Sequence, residues 1–438
     1  MRVFESWEAS RPSSEEARRL DPLALAEEPR EGPFVLLHGE GPGTRYAILG
    51  EEPLGRLLAP DLAGLDFLRS GPRPALAPDL IGQATYEWGV ARERLVEPAL
   101  PSPLALPAFS FVLYGSLSVL DRRTGLLHRA RRRLEGAPPP DFVPDEGRPS
   151  VLAGRGGRTF STRPLGGSED EAGYRSKVGA IRELITAGEV YQVNLTRQEE
   201  WAYEGDLRHL AAALAGINPA PFSAFVAEPD FALISTSPER LARLEGGLLE
   251  TRPIKGTAPR SREAAEDRAL AAGLLASEKD RAELAMIVDL ERDDLARVCL
   301  PGTVEVGAYP LLESYANVHH LVASVRGRLD PSRRLEELLG ALLPGGSITG
   351  CPKIAAMKAI RALEGLPRSI YTGALGWLAA DLSALDLNIA IRTIWSDGDR
   401  LRFGVGGAVV WDSDPAAEYL ETLHKARSIV ACLNSARA

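Results

Sequence analysis

Residues 223–257 read SAFVAEPDFALISTSPERLARLEGGLLETRPIKGT. Apolar and polar residues alternate here, and the alternation breaks at proline and glycine. Runs with a period of two, joined by tight turns, predict antiparallel strands. The stretch closes on Lys255, set between Pro253 and Gly256. Proline fixes φ, and glycine lets a backbone approach a neighbour closely. A solvated lysine needs neither, although a tight turn would explain an isolated Lys-Gly pair.

Working outward, the texture on both sides keeps strands and helices apart. Residues 168–193 carry a capping signature, Ser168 with Glu171, and then a helical period. VNLTRQEEWAY reads as the next strand. Beyond Lys255 one long helix is expected over about 261–298, followed by a helix (CPKIAAMKAIRALEG), two strand regions (YTGALGWLAAD and 387–414) and a closing helix (PAAEYLETLHKARSIVACLN). Residues 1–135 read as strands and turns, with PFVLLHGE, TRYAILGEEP, LIGQATYEWG and FSFVLYGSLSVLDRRTG strand-like. Residues 136–168 are rich in Pro, Gly, Arg and Ser and read as a linker, leaving 169–438 as a second domain. Antiparallel strands with separate helices make the expected class α+β rather than a doubly wound sheet.

The composition excludes several functions. The chain has 438 residues and a net charge of −9, which argues against general nucleic-acid binding. The basic run at 129–133 is short and expected on a solvated edge strand or helix face. Cys299, Cys351 and Cys432 are far apart and odd in number, so neither a disulfide framework nor a zinc site is predicted. No apolar run reaches about 18 residues, so no membrane span is expected. The first residues lack the apolar core of a secretory signal. A cytoplasmic location follows as an expectation.

Several groups stand out chemically. Asp280 and Glu283 are three apart on a predicted helix, and Glu418 and Glu421 repeat the spacing. Facing each other, the two pairs would offer hard oxygen donors suited to Mg²⁺; apart, they are solvated helix faces. PGGSITGCPKIAAMKAI runs a glycine-rich turn into a helix, with Pro352 at its start. A phosphate loop needs lysine directly after its last glycine, and here Cys351 and Pro352 intervene before Lys353. Gly404, Gly406 and Gly407 lie in strand-like sequence, where glycine marks a bulge or a close approach. Arg392, in an alternating apolar run, should face a pocket or a partner. Glu239 follows a proline turn and reads as a general acid or a surface acid; His320 reads as a packed histidine or a site residue.

The blocks EVYQVNLT, SPERL, ETRPIKGTAPR, DRAELAMIVDLERDDLARVC, VHHLVASVRG, LLPGGSITGCPKIAAMKAI, YTGALGW, LNIAIRT, FGVGGAVV and EYLETLHKA resemble, in this order, the chorismate-utilising enzyme family. The resemblance is strong over about 168–432 and faint before that. It implies an anthranilate synthase component I-like fold, two largely antiparallel β-sheets packed together with helices outside. It also implies an N-terminal lobe that can hold a regulatory or structural ligand such as tryptophan. The corresponding segment here, LLHGEGPGTRYAILG, lacks the serine that would follow its two leucines.

Within the family, anthranilate synthases usually carry alanine at the position of Lys255, and aminodeoxychorismate synthases carry lysine. Gln192 resembles the amine-adding branch; water-adding members place a lysine base there. The resemblance therefore implies amination of chorismate to 4-amino-4-deoxychorismate, for 4-aminobenzoate and folate synthesis, through a covalent Lys255 adduct. Glu239 would be the acid. Mg²⁺ would be held by Glu283 and Glu421 with Asp280 and Glu418 nearby. Thr257, Tyr371, Arg392, Gly404, Gly406, Gly407 and Lys425 would meet the substrate. His320 matches the histidine anthranilate synthases use when pyruvate leaves. Ammonia would come from a separate glutamine amidotransferase subunit. An anthranilate synthase, an enzyme making both products, and a silent binding subunit on the same fold remain as alternatives.

Overall fold

The computed structural model describes residues 1–27, 30, 32–39, 44–71, 74, 77–94, 96, 106–152 and 160–435. Residues 223–257 do fold as strands: Phe222–Ala227, Ala232–Ser237, Arg240–Glu245, Leu248–Arg252 and Ile254–Pro259. They do not form a single meander. Phe222–Ala227 and Ala232–Ser237 make one hairpin, and Arg240–Glu245 and Leu248–Arg252 make another. Between the hairpins, at Pro238-Glu239, the chain crosses from one sheet to the other.

The first sheet runs Val325–Arg328, Leu248–Arg252, Arg240–Glu245, Ala384–Ile389, Ala374–Leu378, Leu80–Ala84 and Phe109–Asp121, neighbour to neighbour and antiparallel throughout. The second runs Phe160–Gly167, Gln192–Gly205, Arg400–Val409, Thr393–Asp397, Ala232–Ser237, Phe222–Ala227, Phe34–His38 and Tyr46–Leu57, also antiparallel. The long strands Tyr46–Leu57 and Phe109–Asp121 pair with each other and join the two. Ala224, Val226, Leu233 and Trp395 from one sheet pack with Ile81, Leu375, Trp377 and Ala384 from the other, so the sheets share a core. Arg2–Ser10, a strand the sequence did not signal, pairs antiparallel with Leu126–Glu135 and parallel with Asp66–Ser70. The fold is α+β, with two packed antiparallel sheets and helices around them.

Ile254–Pro259, Val318–Val322 and Leu311–Ser314 form a separate three-stranded sheet. Helices cover the large sheets by burying one face. In Glu171–Thr186 the buried Tyr174, Val178 and Ile181 recur at helical spacing.

Several expectations need correction. The helix begins after Asp170, whose side chain accepts from Gly173 N at 2.8 Å; Ser168 Oγ instead accepts from Gln198 N, 2.9 Å away. The single helix expected over 261–298 is two, Ala264–Ala276 and Glu278–Ala296. They part at Ser277, which is extended (φ −63°, ψ 109°) and caps the second helix. In LIGQATYEWG only Leu80–Ala84 is strand; Thr85 Oγ1 accepts from Trp88 N at 3.2 Å and starts the helix Tyr86–Val90. In the basic run, Arg129–Arg131 is paired on both sides rather than at an edge, while Arg131 and Arg133 keep the exposure expected of a solvated face. Arg132 is buried on Glu5 at 2.7 Å, because strand side chains alternate between faces and this one faces inward. Residues 136–168 contribute the strands Phe142–Pro144 and Phe160–Gly167, and 153–159 lie outside the described residues.

Candidate active site

A cavity of about 520 Å³ opens where the two sheets meet the three-stranded sheet. Its lining side chains come from crossings and irregularities more than from regular strand. Glu239 sits at the crossing between sheets, where its carbonyl accepts from Ile389 N at 3.0 Å. Arg392 sits at the second crossing, between Ala384–Ile389 and Thr393–Asp397, and its carbonyl accepts from Thr236 N at 3.1 Å. Arg392 is therefore not a strand residue. Its φ is +49°, the left-handed region that non-glycine residues seldom adopt. Its Nη1 donates to Asn218 Oδ1 at 3.3 Å, and its guanidinium faces the cavity.

Gly256 explains the stiff surroundings of Lys255. Its φ is +80°, and the strand register shifts there, between Lys255↔Leu321 and Thr257↔His320. A Cβ on Gly256 would lie 2.9 Å from Asp280 Cβ. Positive φ and close approach both call for glycine. The irregularity leaves Lys255 and Thr257 both lining the cavity. Lys255 Nζ donates to the Ser347 carbonyl at 3.2 Å. Burial pushes the Lys255 pKa down; Glu239 opposes that shift, and Lys425 adds to it.

Glu239 is 5% exposed, and its carboxylate accepts from Ile254 N at 3.3 Å. Burial raises its pKa, so it keeps a proton to higher pH than a surface glutamate. The site thus pairs an acid biased toward its protonated form with an amine biased toward its neutral form. His320 is 3% exposed, with Nδ1 2.9 Å from Thr257 Oγ1. Burial, then Arg392, lowers its pKa to about 4, so it is a neutral imidazole at neutral pH.

The two acid pairs face one cavity. Asp280 and Glu283 on Glu278–Ala296, and Glu418 and Glu421 on Pro415–Ser435, all line the cavity. Burial raises the pKa of Glu283 and of Glu418. Burial would raise Glu421 too, but Lys425, 2.6 Å away, outweighs it and the net shift is downward. Glu418 Oε1 accepts from Ser413 Oγ at 2.7 Å, and its buried Oε2 has no partner. Among the described residues no three acid, histidine or cysteine groups converge as a finished metal site. The donors nonetheless suit Mg²⁺, which keeps several waters and takes only one or two carboxylates beside a substrate oxyanion. The orphaned oxygen of Glu418 marks where a cation would be favoured.

The glycines are not a bulge. Register with Gln192–Gly205 is unbroken from Gly404 to Gly407. A Cβ on Gly404 would lie 2.3 Å from the Tyr371 ring, and one on Gly406 2.3 Å from Leu195 O. Lys425 Nζ donates to the Gly406 carbonyl at 3.1 Å. Tyr371, Gly404, Gly406 and Lys425 line the cavity. Gly407 does not; it lies just under Glu418 and Glu421, 3.2 and 3.4 Å from its Cβ position. Gln192 does not line it either. Its side chain is wholly buried with neither amide atom partnered, two residues before the lining Asn194 on the same strand face.

Asn194, Ser347, Lys279 and His424 also line the cavity, although nothing in the sequence singled them out. Lys279 and His424 could have been found as neighbours of Asp280 and Lys425. Ser347 offers its carbonyl to Lys255, which residue type does not signal, and its side chain to Glu239, where it lowers the pKa against the larger effect of burial. A second, smaller pocket involves His38, Arg45, Arg243 and Trp377. It includes part of the segment compared with the tryptophan sites of relatives, whose residues 40–43 lie outside the described residues.

The family model described as chorismate binding enzyme matches residues 49–431. An anthranilate synthase component I-like protein of Synechocystis is 43% identical over 266 residues, 60% of this chain and 55% of that protein. Aminodeoxychorismate synthase component 1 of Salmonella typhimurium is 43% identical over 257 residues, 59% of this chain and 56% of that protein. The matched regions thus span little more than half of these relatives. The crystal structure of anthranilate synthase component I from Streptococcus pneumoniae superposes with a TM-score of 0.73 at 28% identity, covering 89% of this chain and 93% of that one.

Proposed function

The chain belongs to the chorismate binding enzyme family, and from that premise we propose that it aminates chorismate to 4-amino-4-deoxychorismate, the precursor of 4-aminobenzoate in folate synthesis. The observation that carries the reading is Lys255, an amine held in the cavity on a bulged strand with its pKa lowered by burial. A nucleophilic lysine must be neutral when it attacks.

In the proposed sequence Lys255 Nζ attacks the ring carbon ortho to the ring carboxylate. The ring double bonds shift, the C–O bond to the distal hydroxyl breaks, and Glu239 gives its proton so that water leaves. Lys255 is then a secondary ammonium. Ammonia adds at the carbon the hydroxyl vacated, the double bonds shift back, and the C–N bond to Lys255 breaks, releasing the neutral amine. The proton carried in by ammonia passes to Glu239, which restores the starting state. Arg392, Tyr371, Thr257, Lys425 and the backbone around Gly404 and Gly406 orient the carboxylates of the substrate, and orientation of this kind lowers the barrier. Mg²⁺ at Glu283 and Glu421, with Asp280 and Glu418 beside them, would supply a fixed positive charge for the ring carboxylate. His320, neutral and bonded to Thr257, shapes the pocket. Ammonia would be delivered in the cytoplasm by a glutamine amidotransferase partner; the component numbering in the Salmonella relative's name supports a second component.

Anthranilate formation is the second reading. It is favoured by His320 in the cavity and by the names of the Synechocystis and Streptococcus relatives. The test is to incubate the chain with chorismate, Mg²⁺ and ammonium and identify the product by mass and fluorescence, with Lys255→Ala alongside. Aminodeoxychorismate alone, lost in the variant, is expected. Anthranilate from the wild type would overturn the assignment. No product with either nitrogen source, even with an amidotransferase present, would indicate a silent subunit.

A further inference from the structure

The small sheet of Ile254–Pro259, Val318–Val322 and Leu311–Ser314 carries Lys255, Thr257 and His320, yet among the described residues it has no ladder to either large sheet. The carboxylates Asp280 and Glu283 come from a different element, the helix Glu278–Ala296. Chemistry at Lys255 needs the two to stay in register, so something must fix the small sheet against the helices.

Packing does part of this, with Gly256 close against Asp280 and Leu321 sharing a core with Leu274 and Leu284; one side chain adds directional bonds. Asp267 lies on Ala264–Ala276, the helix joined to Glu278–Ala296 through the single residue Ser277. Its Oδ1 accepts from Arg260 Nε at 2.8 Å and from Ser261 N at 3.0 Å, and its Oδ2 from Arg260 Nη2 at 2.9 Å. His319 Nε2 lies 3.0 Å from the same Oδ1. His319 Nδ1 is in turn 2.7 Å from Ser314 Oγ, on the third strand. Arg260 Nη1 donates to Tyr315 O at 2.7 Å, and Arg260 N to Asn317 O at 3.1 Å. One carboxylate thus reaches the end of the Lys255 strand directly, the middle strand through His319, and the turn between the other two strands through Arg260. His319 and His320 are consecutive strand residues, so their side chains point to opposite faces. His320 faces the cavity and His319 faces the helix.

A lone exposed ion pair contributes little. Here the guanidinium is bidentate, the backbone of Ser261 and the imidazole add further bonds, and such networks hold geometry better than single pairs. Among the described residues, no other side chain bonds both to the Lys255 strand's end and to His319.

We propose that Asp267 is a positioning residue, which through Arg260 and His319 holds the sheet bearing Lys255, Thr257 and His320 in register with the helix presenting Asp280 and Glu283. The proposal rests on the amination reading and deepens it. Asp267 touches no substrate; its effect is on the placement of Lys255.

The test compares Asp267→Asn, Asp267→Glu and His319→Gln with the wild type in the full chain. kcat and KM for chorismate are measured at saturating ammonium and Mg²⁺, with thermal melts alongside. Asp230→Asn is the control, because Asp230 makes a similar bidentate pair with Arg148, at 2.9 and 2.6 Å, away from the cavity. A displacement near 1 Å can cost about 100-fold in rate. Asp267→Asn is expected to lose roughly 10- to 100-fold in kcat with a small change in KM, while Asp230→Asn keeps its rate. Asp267→Glu should recover part of the loss. A second readout does not depend on turnover: the rate at which an amine-acylating reagent modifies Lys255, followed by peptide mass spectrometry. It should change in Asp267→Asn and His319→Gln and not in Asp230→Asn. If kcat and Lys255 modification in Asp267→Asn match the control, the proposal is overturned. If the wild type makes no aminodeoxychorismate, the amination reading fails, and the Lys255 modification rate alone then decides whether Asp267 positions this lysine. Should Asp267→Asn fail to fold, His319→Gln carries the same comparison.

Discussion

Lys255 shows how strongly a single residue's behaviour depends on its surroundings. Burial lowers its pKa, so the neutral amine is available below the ordinary lysine range. The rising limb of kcat against pH should therefore have its midpoint below the ordinary value of about 10.4. A midpoint at or above that value would mean that Lys255 is not the group being titrated. His320, with a pKa near 4, should contribute no inflection between pH 6 and 8. Gly404 allows a sharper steric test, since a Cβ there would fall 2.3 Å from Tyr371. Gly404→Ala should destabilise by about 1–3 kcal/mol by overpacking and raise KM for chorismate as Tyr371 is displaced. An unchanged melt and KM would show that the ring moves aside freely. Gly256 and Gly404 were both visible as glycines among strand residues. Which neighbour each one accommodates was not visible, because Asp280 and Tyr371 are remote in sequence.

At the scale of elements, the join at Ser277 is the most informative departure from expectation. Strong helix formers on both sides favour one continuous helix, but Ser277 with Asp280 is itself a start signal, and Ser277 Oγ accepts from Asp280 N at 3.3 Å. The break gives Glu278–Ala296 its own direction, and with it the aim of Asp280 and Glu283. Ser277→Ala should cost about 1 kcal/mol of stability, as lost caps typically do, and weaken the response to Mg²⁺. Urea unfolding and an activity titration with Mg²⁺ would check both. A stable variant with an unchanged Mg²⁺ response would mean the cap does not set the direction of the second helix. The strands of 223–257 were legible because alternation is a local property. The crossing at Pro238-Glu239 was not, since hairpins and crossings use the same turn residues.

Across the whole molecule, buried charge links stability to pH. Glu291 is 4% exposed, behind the cavity wall, with Asp294 and Lys353 beside it and Lys353 Nζ 2.5 Å from Asp294 Oδ2. Burial, then Asp294, pushes its pKa up to about 8 from an ordinary 4.5. A raised carboxyl pKa means that the folded state holds a proton the unfolded state has released. Stability from this group is thus fully present below about pH 4.5 and is lost as pH rises toward and through about 8. Glu291→Gln should flatten the decline of melting temperature between those limits. An equally steep decline in the variant would assign it to another group, with Glu87, raised by burial to about 7, the next to examine.

By itself the sequence determined the α+β class, most strand positions, the spacing of the two acid pairs and the ordered blocks that resemble the family. These are carried by residues close together in the chain, where period and turn chemistry act. Only the tertiary structure decided that Asn194 rather than Gln192 lines the cavity, that Arg132 is buried, that Arg392 lies at a crossing, and that Lys255 rests against the Ser347 carbonyl. The reason is physical. Burial, pKa and convergence depend on which distant segments meet, and the contacts that bring Glu239 to Ile389, Asp280 to Gly256 and Ser347 to Lys255 close over long separations in sequence.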